Sequence, residues 1–114
     1  MKSYCDLNQC KVLMEFLPLE SADMFYTPAN VVIDDVVKYC EPILHKPIWN
    51  PEEAIPCWSS SALLEIIHDT GRYELQMYEY GYYFVAKDFI TESYSNVVDA
   101  CYEMILKLHE RKLL

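Results

Sequence analysis

Glycine is nearly missing from this chain: Gly71 and Gly81 are the only two in 114 residues. Phosphate-cradling loops of the dinucleotide-binding and P-loop kinds need several glycines at fixed offsets within one turn, because only a backbone without Cβ closes its N–H groups on a phosphate. Both classes are excluded. Positive charge is scarce as well, with nine lysines and arginines against 18 aspartates and glutamates and a formal net charge of −9. Such a surface repels phosphate backbones, whose neutralisation by Lys and Arg supplies most nucleic-acid affinity. Direct binding to nucleic acid or to an anionic membrane is therefore not expected. No apolar stretch reaches the roughly 20 residues that cross a bilayer, and no apolar run of signal-peptide length follows Met1-Lys2-Ser3-Tyr4. Close pairs of the Cys-x-x-Cys kind are absent too. The five cysteines, Cys5, Cys10, Cys40, Cys57 and Cys101, are odd in number and widely spaced. The expectation is a reduced, cytoplasmic protein whose thiols serve mainly as small core residues.

Hydrophobic residues, by contrast, make up 53% of the chain, enough for a core without disulfides or metal. One compact domain over residues 1–114 is expected. Asp6-Leu7-Asn8-Gln9 has the pattern of a capping box, and Cys10, Leu13, Met14 and Leu17 follow at helical spacing until Pro18 ends the segment. Met24-Phe25-Tyr26 reads as a short strand. Val31–Tyr39 fits either period; its Val32, Val36, Val37 and Cys40 spacing under an Asn30 cap favours a helix, although β-branched residues favour a strand. Four prolines between Glu41 and Pro56 rule out a regular element there, and the apolar residues between them make it a packed loop. A helix capped by Ser59 or Ser60 follows, burying Leu63, Leu64 and Ile67 and stopping at a left-handed Gly71.

The last third is the most patterned. Tyr73, Leu75 and Met77 alternate with Glu74, Gln76 and Tyr78, so one set faces a core and the other faces water. Glu79-Tyr80-Gly81 is expected as a three-residue loop with Gly81 at positive φ, and Tyr82–Lys87 as the return strand. Ser95–Lys112 reads as one long amphipathic helix with Val97, Cys101, Met104, Ile105 and Leu108 as its buried stripe. The expected fold is α+β: a small antiparallel sheet with a C-terminal β-hairpin, packed by two or three helices that include a long C-terminal one.

The phrases Ser21-Ala22-Asp23-Met24, Pro56-Cys57-Trp58-Ser59 with Ala62-Leu63-Leu64, and Val98-Asp99-Ala100-Cys101-Tyr102-Glu103-Met104-Ile105 resemble blocks in small proteins of gut bacteria and their phages or mobile elements. The middle, Pro28–Glu53, departs from that pattern. No activity is established for those proteins, so the resemblance implies a cytoplasmic accessory protein and assigns no catalytic residue.

Four constellations carry chemistry on paper. Cys5, Cys10, Cys40 and His45 are residue types that zinc accepts, each pair separated by four residues. Cys57 stands just before a helix start, where a thiol is activated if a base such as His68 or His109 lies in reach. The carboxylate pairs Asp34-Asp35 and Glu52-Glu53 read as solvated surface, and Ser59-Ser60-Ser61 as helix caps. No catalytic residue, metal or cofactor is expected from these. The ten tyrosines carry more, since Tyr73, Tyr78, Tyr80, Tyr82 and Tyr83 exceed what one inward face can hold. Tyrosine gives large contact area at small entropic cost. Outward Tyr78, Tyr80 and Tyr83 with Glu74 and Glu79 therefore form the expected binding face, for a basic protein partner. The expected function is a non-enzymatic protein-interaction module. Alternatives are a homodimer through an open strand edge, a small cysteine- or zinc-dependent enzyme, and an acidic inhibitor that imitates nucleic acid.

Overall fold

The computed structural model describes residues 2–34, 36–44, 54–71, 73–79 and 81–114. Among them are three α-helices, α1 (Leu7–Leu13), α2 (Ser60–Thr70) and α3 (Val97–Glu110), and six strands. The strands are β1 (Met24–Tyr26), β2 (Pro28–Ile33), β3 (Val36–Tyr39), β4 (Ile55–Cys57), β5 (Glu74–Tyr78) and β6 (Gly81–Val85). They pair antiparallel as β1–β4, β2–β3 and β5–β6, which makes the fold α+β. The residues cluster into two compact units, Asp6–Trp58 on the one hand and Ser59–Leu114 with Met1–Cys5 on the other.

In the unit Asp6–Trp58, α1 begins at the expected capping box. The Asp6 carboxylate accepts from the Gln9 amide at 2.8 Å, and the Gln9 side chain accepts from the Asp6 amide at 3.1 Å. Pro18 does not end the helix. The regular turns stop at Leu13, because Glu15 and Phe16 donate three residues back, to Val12 and Leu13, and tighten the last turn. Cys10, Leu13 and Leu17 are buried as expected, but Met14 faces away and is exposed. A single 3-10 turn, Leu19–Ser21, places the Ser21 hydroxyl to accept from the buried Trp58 indole at 2.9 Å.

Strand β1 lies where the sequence placed it, and the prolines at 41–56 do not exclude strand structure. Pro56 sits inside β4, opposite Phe25. Phe25 spends its own N–H and C=O on Ile43, at 2.8 and 2.9 Å, so the Phe25–Pro56 pair is of the kind that exchanges no hydrogen bonds. A proline costs the ladder nothing there. Pro47 and Pro51 lie outside the described residues. The favoured helix over Val31–Tyr39 is also corrected: β2 and β3 make a hairpin, closed by the pair Ile33–Val36 with Asp34 at φ 52 in the turn. Aspartate tolerates that left-handed conformation better than most residues, and the branched side chains of this stretch favour the extended chain on either side.

In the unit Ser59–Leu114, Ser59 caps α2 by accepting from the Ala62 amide at 3.2 Å. Ala62, Leu63 and Ile67 are buried, while Leu64 is only half-buried. Gly71 ends this helix, but in extended backbone at φ 161 rather than left-handed. The last carbonyls are met locally instead, that of Ile67 by the Thr70 hydroxyl at 2.7 Å and that of His68 by the Gly71 amide at 3.3 Å.

The β5–β6 hairpin holds a continuous register from Glu74–Val85 to Tyr78–Gly81, leaving two residues between the last paired positions rather than the expected three-residue loop. Gly81 belongs to the ladder. Its φ is 155, and a Cβ there would lie 2.5 Å from the Tyr94 carbonyl oxygen. The reason is tertiary: Tyr82 and Tyr94 exchange two main-chain bonds of 2.8 and 2.9 Å, which draws residues 89–94 along the outer edge of β6. Thr91 completes that edge, its hydroxyl accepting from the Phe84 amide at 2.8 Å and its own amide donating to the Phe84 carbonyl at 3.0 Å.

Helix α3 is capped by Asn96, whose side chain accepts from the Asp99 amide at 2.8 Å. Asp99 in turn accepts from the Lys2 ammonium at 2.8 Å. Val98, Ala100, Cys101, Met104, Ile105 and Leu108 are fully buried, with Val98 in the place expected of Val97. Against α2 and β6 this stripe makes the core of the unit, and each large aliphatic side chain contributes about 1.5–3 kcal/mol by burial. The helix closes two residues before Lys112, in a Schellman motif: Lys112 stands at φ 61, its amide donates to the His109 carbonyl, and Leu113 donates to Leu108.

Gly81→Ala is expected to destabilise the protein by about 2–4 kcal/mol, because it adds both a strained φ and a main-chain collision. Chemical denaturation measures it, and a loss below about 0.5 kcal/mol would contradict this packing of Tyr94.

Candidate functional site

The expected binding face divides in the structure. Gln76 and Tyr83 are cross-strand partners, and the Tyr83 hydroxyl donates to the Gln76 side-chain oxygen at 2.8 Å, while the Gln76 amide donates to Glu74 at 3.1 Å. Tyr83 is half-buried in this chain of bonds, so its phenol serves the hairpin itself. Tyr78 is 68% exposed, and Glu74 and Glu79 are exposed. Tyr80 lies outside the described residues. What the sequence did not reveal is Met77. Its position in the alternation puts it on the same side of the pleat as Leu75 and Phe84, yet it is 74% exposed, because the helices cover only part of that side.

Coverage falls off across the hairpin. Phe84 on β6 is 1% exposed beneath α3, Leu75 opposite it is half-buried, and Met77 is open. Between α2 and β5 lies an apolar hollow of about 480 Å³, lined by Leu64, Ile67, Tyr73, Leu75 and Phe84 together with Gly71 and the exposed Glu65 and His68. A second concavity at the hairpin tip is lined by Met77, Tyr78 and Glu79.

The edge of β5 matters equally. Tyr82 and Phe84 direct their main-chain groups away from β5, toward Tyr94 and Thr91. Their partners Met77 and Leu75 must then be the non-bonded members of the ladder, with N–H and C=O pointing outward. Among the described residues no strand pairs with that edge.

Cys57 is fully buried, and its hydrogen bond with the Cys10 thiol, followed by burial, pushes its pKa far above the ordinary thiol range. That holds it as the neutral thiol, the form that is a poor nucleophile. His68 and His109 are exposed helix residues. Burial alone pushes Cys101 up to about 12. Cys40 is exposed, and His45 lies outside the described residues, among which no three Cys, His, Asp or Glu side chains gather as a metal set. Asp34 is an exposed turn residue, whereas Asp35, Glu52 and Glu53 lie outside the described residues. At the end of α3, Arg111 is held by Asp88 at 3.1 Å and lies over the Phe89 ring at 4.2 Å.

No family model, curated protein or solved structure matches the chain. Among the described residues no helix is long and apolar enough to cross a membrane.

In native protein, Cys40 is expected to react with a chromogenic thiol reagent at the rate of a small-molecule thiol, while Cys5, Cys10, Cys57 and Cys101 react only on unfolding. A second fast thiol would contradict the burial. The folded-state pKa of Cys101 lies above its ordinary 9.0, so the unfolded chain gives up this proton first as pH rises. The associated stability is complete below pH 9.0 and is lost as pH approaches about 12. Denaturation midpoints should fall over that window, and Cys101→Ala should flatten the slope.

Proposed function

We propose that this chain is a small acidic, non-enzymatic protein-interaction module whose contact surface is the outer edge of β5 together with the exposed side chains on its two faces. The observation that carries the reading is the joint exposure of Met77 and Tyr78, at 74% and 68%, on a strand whose outer edge is unpaired among the described residues. Large flexible and aromatic side chains of this kind are costly to leave in water and are effective anchors when covered. Glu74 and Glu79 flank them, and the net charge of −9 favours a basic partner by steering and by complementarity. Enzymatic use of Cys57 has less support, given its burial and its raised pKa.

Immobilised protein is expected to retain a discrete set of proteins from cell lysate, weakened by salt as acidic surfaces are. The double variant Tyr78→Ala, Glu79→Lys should lose them with its thermal midpoint nearly unchanged, since both residues are exposed. Retention of the full set by that variant would end this reading.

A further inference from the structure

Resting on that reading, we infer that β5 takes an extended, basic segment of its protein partner as a third strand. The apolar side chains of that segment lie over Met77 and in the hollow formed by Leu64, Tyr73, Leu75 and Phe84.

Three observations converge. The first is the edge. Leu75 and Met77 present N–H and C=O outward, and β5, with the sequence Glu-Leu-Gln-Met-Tyr, has neither lysine nor proline nor a break in register. Those are the devices by which edge strands usually refuse a neighbour, together with a covering loop such as the one β6 has at residues 89–94. The second is the uneven cover of the pleat. A strand laid beside β5 projects alternate side chains onto the same side as Leu75 and Met77, which is where the hollow opens. Its volume of about 480 Å³ accommodates more than one aliphatic side chain, and burying each would contribute favourably to association. The third is charge. Glu65 lines the hollow, and Glu74 and Glu79 bracket the strand, so the complementary segment alternates apolar residues with Lys or Arg. A second copy of this chain fits less well, because its own β5, Glu-Leu-Gln-Met-Tyr, offers no lysine or arginine to meet Glu65, Glu74 and Glu79.

The probe is a capped peptide of about ten residues that alternates lysine and valine, with a control of the same composition arranged in blocks. By fluorescence anisotropy the alternating peptide should bind at least about tenfold more tightly than the control. N-methylating alternate main-chain amides gives two further peptides. The set facing β5 should lose about tenfold or more, and the set facing away should bind like the parent. Met77→Pro removes an outward donor from an edge position where the ladder to Tyr82 uses none, and should lose affinity similarly. Amide exchange at Gln76 and Tyr83 reports that the hairpin is intact in that variant.

Equal binding by both N-methylated peptides, with Tyr78→Ala, Glu79→Lys still weakening the complex, would overturn strand addition and leave the interaction module standing. Indifference to both manipulations, or no preference for the alternating peptide over the block control, would overturn the two together. A dimer in sedimentation that Met77→Pro converts to monomer would assign the edge to a second copy and overturn the basic partner.

Discussion

The buried stripe of α3 is the constraint on which the unit Ser59–Leu114 depends. Val98, Cys101, Met104, Ile105 and Leu108 have no exposure at all, and what they cover decides what the rest of the unit leaves open. The stripe is spent on α2 and β6. Phe84 is consequently sealed, the loop through Thr91 and Tyr94 is drawn onto the far edge of β6, and Gly81 is pressed so close to Tyr94 that a methyl group has no room. Strand β5 receives the remainder, with one half-covered leucine and one open methionine. The candidate binding surface is thus a by-product of core geometry: a hairpin has two strands, and the helix is committed to one of them.

Local chemistry was legible in the residues, and tertiary coverage was not. The caps at Asp6 and Ser59 depend on side chains reaching amides three residues away, so sequence spacing suffices to place them. The same holds for the alternation in β5 and the helical period of α3, although the buried valine there is Val98 rather than its neighbour Val97. Residues 28–39 resisted because a valine-rich run satisfies both periods, and the choice fell to pairing across Asp34 that no local pattern announces. The two glycines show the limit best. Gly71 was assigned a left-handed role from its place after a helix, yet it is extended; Gly81 has the positive φ its place in the turn implies, but it is demanded by the approach of a chain segment thirteen residues on.

The candidate site follows the same division. Tyr78 and Glu74 are exposed as their alternation implies and Glu79 as a turn residue, whereas Tyr83 turns its hydroxyl to Gln76, a cross-strand partnership that depends on register. Met77 was assigned to the core by period two, which gives the side of the sheet but not how far a helix extends over it. The hollow beside Leu64 and Tyr73 has no linear signature at all, since it exists only where two elements stop short of each other.

Pro56 has a consequence beyond its own pair. Because it faces Phe25 at a position where no bonds are exchanged, the donor it lacks is the one that would have pointed away from β1. Any chain laid alongside β4 finds an acceptor there and no hydrogen to match it, so the ribbon it borders is terminated chemically on that flank. At Ile55–Cys57 the missing donor comes on top of burial, since all three residues are enclosed, whereas Leu75 and Met77 on β5 direct intact N–H and C=O groups away from their partner strand.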